Sequence, residues 1–460
     1  MNVAQKLDTQ TTGFAMYLRE AAEAIGARSA GEDVLLQGVS TDTRNLQPGQ
    51  LFVALHGPNF DGHAYLDQAK QRGAAACMVE HAVPNWSNLI VEDTRRGLGY
   101  LARAWRRRFN LPLVAVTGSN GKTTVKEMIA TILSRRGETL ATQGNLNNDI
   151  GLPLTLCRLG AVHRDAVIEM GANHPGEIAW LTELAEPHVA IITNAAPAHL
   201  EGFGSLEGVA RAKGEIFAGL DETGTAVINA DDDFAPLWRE LAGSHGQLSF
   251  GLRRPADVTA GWQATATGSH LVARTPAGEL ELALPLPGEH NVMNALAAIA
   301  AAVAIGIPLA DIKAGLEAVQ AVPGRLQSRA GRNGSRIVDD TYNANPASLA
   351  AALRVLGGFD GRHVLVLGEM GELGAETENL HAAAGRLARE AGVDCLVTVG
   401  PMAAAAAEAF GANAQACANH AEAISAVNER LGPAVTVLVK GSRLSHMEAV
   451  VTGLQEGGAD

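Results

Sequence analysis

One stretch of the chain has residue types and spacing suited to holding the phosphates of a nucleotide. Gly118-Ser119-Asn120-Gly121-Lys122-Thr123-Thr124 follows the apolar run Leu113-Val114-Ala115-Val116-Thr117 and precedes a helical pattern from Val125 to Arg136. Glycines let the backbone curl until its N–H groups face an anion, and a helix N-terminus adds a positive dipole end. Lys122 supplies a point charge for the β and γ phosphates, and the Thr123 hydroxyl is suited to Mg²⁺. Val116 stands where the longer phosphate-loop pattern has its first Gly, so the match is the shorter G-x-x-G-K-T. The bland alternative is a Gly-rich strand-to-helix turn. Lys-Thr in place, between a strand and a helix, argues against it.

Further polar groups fall at the ends of apolar runs, where ligands of open α/β sheets bind. Glu169 closes Ala166-Val167-Ile168-Glu169, His199 follows Val189-Ala190-Ile191-Ile192-Thr193, and Lys213 lies on the next helical stretch. Mg²⁺ prefers oxygen, so Thr123, Glu169 and phosphate oxygens make a suitable shell. Taken singly, His199 reads as a core or hydrogen-bonding histidine and Lys213 as a surface salt-bridge residue. Asn291 and Asp340 lie in His290-Asn291-Val292-Met293-Asn294 and Asp339-Asp340-Thr341-Tyr342-Asn343-Ala344-Asn345-Pro346, both at helix starts. Asn345 before Pro346 fits an N-cap with Pro at N1. Capping alone leaves the density of polar side chains there unexplained.

The elements that must position these groups form three blocks, expected to divide as residues 1–110, 111–322 and 323–460. The first mixes short strands and turns and closes with an Arg-rich helix from Leu98 to Phe109. The second alternates continuous apolar strands with helices, the pattern of βαβ units on a parallel sheet. The third repeats it, with strands at Arg336–Asp339, His363–Leu367, Cys395–Val399 and Val435–Val439. The fold class is therefore α/β, with a parallel-sheet phosphate-loop domain in the centre and a Rossmann-like domain at the end.

The 460 residues carry a net charge of −13, with 47% hydrophobic and 18% charged residues, as in a folded globular protein. That charge argues against non-specific nucleic-acid binding, and the basic run Arg103–Arg108 reads as a solvated helix face. Cys77, Cys157, Cys395 and Cys417 are scattered, without a disulfide or metal pattern, as in a reducing compartment. The sequence opens on no signal-peptide pattern. The Ala-rich run from Ala295 to Leu309 is short and broken by Gly306 and Pro308, so no membrane insertion is expected. A cytoplasmic location follows as the expectation.

In this order, the phosphate loop, Glu169, His199, Asn291 and Asp340 resemble the Mur ligases, three-domain ATP-dependent amide-bond ligases of peptidoglycan synthesis. Gln143-Gly144-Asn145-Leu146-Asn147-Asn148-Asp149, Glu169-Met170-Gly171-Ala172-Asn173-His174-Pro175-Gly176-Glu177, Gly368-Glu369-Met370-Gly371-Glu372 with His381, and Lys440-Gly441-Ser442-Arg443 are similar to one branch. That branch joins D-alanyl-D-alanine to UDP-N-acetylmuramoyl-tripeptide. The branch that adds diaminopimelate or lysine carries an Asp-Asn-Pro-Arg run, which this sequence lacks.

The resemblance implies ATP and Mg²⁺, an acyl-phosphate intermediate, and a monomer. It assigns Gly118, Ser119, Asn120, Gly121, Lys122, Thr123, Thr124, Asn291, Arg325 and Asp340 to ATP. Thr123, Glu169, His199 and a carbamylated Lys213 would hold metal; Lys122, His199, Lys213 and Arg325 would serve catalysis. Ser40, Thr43, Arg44, Asp61 and His63 resemble the family's UDP-sugar segments. Asn145, Asn147, Asn148, Asn343, Asn345 and Ser348 complete the substrate contacts. The folylpolyglutamate synthases share the central domain but would lack the N-terminal segments. A nucleotide-controlled switch would need no acceptor carboxylate.

Overall fold

Strands buried on both faces need apolar side chains pointing both ways, and the central strands have them. Leu113–Thr117 is buried throughout. Leu113 and Ala115 join one apolar cluster, while Val114 and Val116 join another on the opposite face. The computed structural model describes residues 13–57, 60–197, 200–265 and 268–456. In it the central sheet is six-stranded and wholly parallel. Its spatial order is Glu138–Ala141, His163–Glu169, Leu113–Thr117, Val189–Ile192, Thr225–Asn229 and Gly246–Phe250. Helices Lys122–Leu133 and Glu289–Ala304 cover the face that holds Val114 and Val116.

The N-terminal sheet runs Arg28–Ala30, Asn88–Ile90, Ala76–Val79, Leu51–Val53 and Val39–Ser40, parallel except for the first strand. The C-terminal sheet runs Gln327–Ala330, Arg336–Asp340, Val435–Lys440, Arg362–Gly368, Cys395–Val399 and Ala414–Cys417, and only its first strand is antiparallel. All four cysteines are buried and free. Among the described residues no helix is long and apolar enough to cross a membrane.

Two departures from the sequence reading have clear causes. A three-stranded antiparallel sheet, Thr259–Ala264, Ser269–Thr275 and Gly278–Leu284, lies between the last central strand and helix Glu289–Ala304. Its signal was period two: Leu280, Leu282 and Leu284 are buried while Glu279 and Glu281 are exposed. A reading tuned to continuous apolar runs passes over it.

The second departure corrects the basic run. The helix spans Thr94–Arg106, because the Asp93 carboxylate accepts from the Arg95 and Arg96 N–H groups and caps it four residues earlier than expected. Nor is Arg103–Arg108 a plain solvated face. Arg106 is 5% exposed. Its guanidinium donates to the carbonyls of Ala185 (3.1 Å), Phe109 (2.6 Å), Leu111 (3.4 Å) and Glu186 (3.4 Å). Arg103 and Arg107 both donate to the Glu186 carboxylate. Trp105 donates its indole N–H to the Leu159 carbonyl at 3.0 Å. The run therefore clamps the first unit to the second over a shared apolar core that joins Leu98, Leu101 and Trp105 to Leu113 and Ala115.

Losing the Arg106 guanidinium strands several buried carbonyls at once. Arg106→Met is expected to lower unfolding stability by about 2–4 kcal/mol in a denaturant titration. A loss under about 0.5 kcal/mol, typical of solvated surface positions, would contradict the clamp.

Candidate active site

The loop after Leu113–Thr117 is shaped by close approach. Gly118 has φ +142° and Gly121 φ +81°. A Cβ on Gly118 would stand 1.9 Å from Thr193 Oγ1, and one on Gly121 2.4 Å from Asn294 Oδ1. The end of the neighbouring strand holds the loop open. Thr193 Oγ1 donates to the Asn120 carbonyl (2.6 Å), Asn194 Oδ1 accepts from the Asn120 N–H (3.0 Å), and the Asn194 carbonyl accepts from the Ser119 N–H (2.9 Å). Thr193, Asn194 and Asn294 were not singled out from sequence; their polar types beside the loop give no hint of the contact. Helix Lys122–Leu133 begins without a side-chain cap, so its first N–H groups remain available to an anion. Lys122 folds back and donates to the Gly118 carbonyl at 2.7 Å. Burial pulls its pKa down, while Glu169 opposes that shift.

Glu169 sits beside Val116 in the sheet register and is 1% exposed. One carboxylate oxygen accepts from Asn147 Nδ2 at 2.8 Å; the other is buried with no partner among the described residues. An unmet carboxylate oxygen near Lys122 and Thr123 suits a hard cation. Among the described residues no group of three or more His, Cys, Asp or Glu could hold a metal unaided. Ligand oxygens would have to complete any shell. His199 lies outside the described residues.

Lys213 departs from its bland reading as a surface residue. It is 2% exposed on helix Leu206–Gly214, with its ammonium 5.4 Å from the centre of the Phe203 ring. Burial, reinforced by Lys122, pushes its pKa down to about 7.

The third unit reaches the loop by two side chains. Asn345 Nδ2 donates to Asn120 Oδ1 at 2.9 Å, and Arg325 Nη2 lies 3.5 Å from Thr123 Oγ1. Asn345 also caps helix Pro346–Leu356 in a reciprocal box with Ser348, with Pro at N1. One cavity of about 1310 Å³ brings together Ser119, Asn120, Gly121, Lys122 and Thr123 with Asn145, Asn147, Asn148, Glu169 and Lys213; Arg325, Asn343, Asn345 and Ser348 face them. Arg95, Arg96, Lys126, Trp180, Tyr342 and Arg443 also line it and were not singled out. Arg96 stacks 4.0 Å over Trp180. Such a pair, made across two units, leaves no local sequence signal.

Gly118, Thr124, Asn291 and Asp340 do not line this cavity. Asn291 is 6% exposed and donates to the Pro287 carbonyl at 2.8 Å. Asp340 accepts from the buried Lys440 ammonium and, through its other oxygen, from the Leu326 N–H at 3.2 Å. The N-terminal candidates form a separate group at the carboxyl edge of their own sheet. Ser40 ends a strand there, and Thr43 donates to Gln68 Oε1 at 2.8 Å. Arg44 pairs with Asp42 at 2.8 Å. Asp61 accepts from both the N–H and the ring Nδ1 of His63, and the Glu80 N–H donates to His63 Nε2.

Comparison with known proteins agrees with this architecture. Residues 35–106 match the Mur ligase family catalytic domain, 116–302 the Mur ligase middle domain, and 324–443 the Mur ligase glutamate ligase domain. The chain is 46% identical over 450 residues to the UDP-N-acetylmuramoyl-tripeptide–D-alanyl-D-alanine ligase of Escherichia coli strain K12, covering 96% of this chain and 98% of that protein. It is similar to the crystal structure of MurF from Acinetobacter baumannii, with TM-score 0.91, 38% identity, and 96% and 98% of the two chains covered. It is also similar to MurF ligase from Thermotoga maritima in complex with ADP, with TM-score 0.81, 29% identity, and 90% and 96% covered. Three domain matches in one order, and close identity along nearly the whole length, mean that the chain belongs to the Mur ligase family.

Proposed function

We propose that this chain joins D-alanyl-D-alanine to the terminal carboxylate of UDP-N-acetylmuramoyl-tripeptide, an ATP-dependent step of peptidoglycan precursor synthesis. One observation carries the reading: the phosphate loop, the unmet oxygen of Glu169 and the third unit's Arg325 meet in a single cavity. The 46% identity to the Escherichia coli ligase supports the choice of substrates.

A carboxylate does not yield to an amine, because oxide is a very poor leaving group. A carboxylate oxygen of the tripeptide therefore takes the γ-phosphoryl group and ADP leaves. The dipeptide amine then attacks the acyl carbon, loses a proton, and phosphate departs as the amide forms. For such transfers a protein chiefly positions groups and neutralises charge. Lys122 and the loop N–H groups hold the phosphates, and Arg325 approaches from the third unit. Thr123 and Glu169, with His199 and a carbamylated Lys213, would hold Mg²⁺, which supplies neutralisation of phosphate charge when bound. Asn291 serves adenine and Asp340 the nucleotide. Ser40, Thr43, Arg44, Asp61 and His63 bind the UDP-sugar. Asn145, Asn147 and Asn148 guide the tripeptide, and Asn343, Asn345 and Ser348 the dipeptide. The working divisions are residues 1–110, 111–322 and 323–460, in a monomer of the cytoplasm.

Carbamylation needs a neutral amine to attack carbon dioxide, with a proton lost as the N–C bond forms. Burial supplies that amine near neutral pH at Lys213. The same shift has a stability signature. Between about 7 and the ordinary 10.5 only the unfolded chain binds the Lys213 proton. Stability from this site therefore rises with pH across that window and is flat below it. Lys213→Met, compared with the parent in carbonate-free buffer, is expected to flatten that rise; an unchanged slope would contradict it. Activity of Lys213→Ala restored by a short carboxylic acid would support the carbamate.

The direct assay supplies ATP, Mg²⁺, UDP-N-acetylmuramoyl-tripeptide and D-alanyl-D-alanine and follows phosphate. Release no faster than without the dipeptide would end the ligase reading. Lys122→Ala is expected to abolish turnover with unchanged thermal unfolding; retained activity would refute its phosphate role.

A further inference from the structure

We propose that Tyr342 is a positioning residue of this reaction: its ring holds the Arg325 guanidinium flat so that the donor edge faces the phosphate loop. The inference rests on the ligase reading above. The backbone fixes the pair first. The Tyr342 N–H donates to the Gly324 carbonyl at 3.1 Å, and the Leu326 N–H donates to Asp340 Oδ1 at 3.2 Å. Arg325 lies between these two pins. The approach is close: Gly324 has φ +69°, and a Cβ there would stand 3.2 Å from the Tyr342 nitrogen.

From that anchor the Arg325 side chain folds over the ring, with its guanidinium carbon 4.0 Å from the ring centre. Stacking uses the face of a guanidinium and leaves its in-plane N–H donors unused. Among the described residues those donors are little used. Nη2 is 3.5 Å from Thr123 Oγ1, a marginal contact, and Nε is buried with no acceptor among the described residues. A buried donor left unmet in a rigid side chain beside a phosphate loop marks the place of a ligand oxygen, and a planar fork suits a phosphoryl group. Tyr342 itself lines the cavity. No hydrogen bond of its hydroxyl occurs among the described residues, so the ring is the part the structure uses. Burial raises the phenol pKa, which keeps the ring neutral at working pH. Arginine on a flexible stem samples many rotamers, and the stack restricts them before the nucleotide arrives.

Two properties separate this role from packing: dependence on the ring, not the hydroxyl, and dependence on Arg325. Tyr342→Leu is expected to lower kcat about 10- to 30-fold. Tyr342→Phe should recover it to within about threefold of the parent, as a retained stack requires. In an Arg325→Ala background, Tyr342→Leu should change kcat by less than about twofold, because coupled residues are not additive. Arg325→Lys keeps the charge, loses the planar face, and should cost about as much as Tyr342→Leu. A Phe variant as impaired as Leu, a full Tyr342→Leu loss without Arg325, or an unimpaired Arg325→Lys enzyme would each overturn the proposal. The same cycle, read on equilibrium binding of a non-hydrolysable ATP analogue, should show the same coupling. It judges the clamp even if the dipeptide releases no phosphate and the ligase reading falls.

Discussion

Among the described residues a carboxylate oxygen of Glu169 is buried without a donor, and the surrounding side chains are arranged around that deficit. Burying an unmet anion is unfavourable, so the surrounding structure must over-determine its place. Strand pairing fixes Glu169 beside Val116, Asn147 satisfies its other oxygen, and the Thr142 hydroxyl accepts from its backbone N–H at 2.9 Å. Lys122 and Lys213 stand on the other side of the balance, both with pKa values pulled down by burial. Such a centre is incomplete as protein alone. Phosphate oxygens and a hard cation are the kind of groups that would balance it.

The parallel sheets explain how so many charged groups reach one cavity without unfolding anything. Carboxyl ends of parallel strands carry their loops on one edge. The central edge delivers the phosphate loop and Glu169; the C-terminal edge delivers Tyr342, Asn343 and Arg443 after strands Arg336–Asp340 and Val435–Lys440. Function is then a matter of which side chains those loops carry, on a scaffold whose apolar strands are content on both faces.

Much of this was legible from residues alone, and the exceptions share a cause. The strand, loop and helix from Leu113 to Leu133 announce themselves by local pattern, as does the Asn345-Pro346 cap. Glu169 could be picked out because it ends a strand of such a sheet, and it lines the cavity. What stayed hidden depends on residues distant in sequence. Thr193 against Gly118, Arg96 on Trp180, Arg325 on Tyr342 and Arg106 among foreign carbonyls are pairings that no window of sequence contains. Lys213 was legible as a family position but not as a buried lysine, since burial is decided by Phe203 and its neighbours. His381 was noticed as part of a motif; it proves to be a fully buried brace that accepts from the Met370 N–H at 2.9 Å and donates to the Thr377 carbonyl at 2.7 Å.

The apolar clusters divide the chain unevenly. One core runs without interruption from the N-terminal unit into the central one, whereas the clusters of the third unit contain only its own residues. Against the phosphate loop the third unit offers Arg325 and Asn345, both polar. Parting the first two units would therefore hydrate a large hydrocarbon surface and carry a large positive heat-capacity change. Breaking the Arg325 and Asn345 contacts with the loop would exchange protein partners for water with little of that signature. By that measure the first two units form one fused body, while the third meets the phosphate loop through polar side chains.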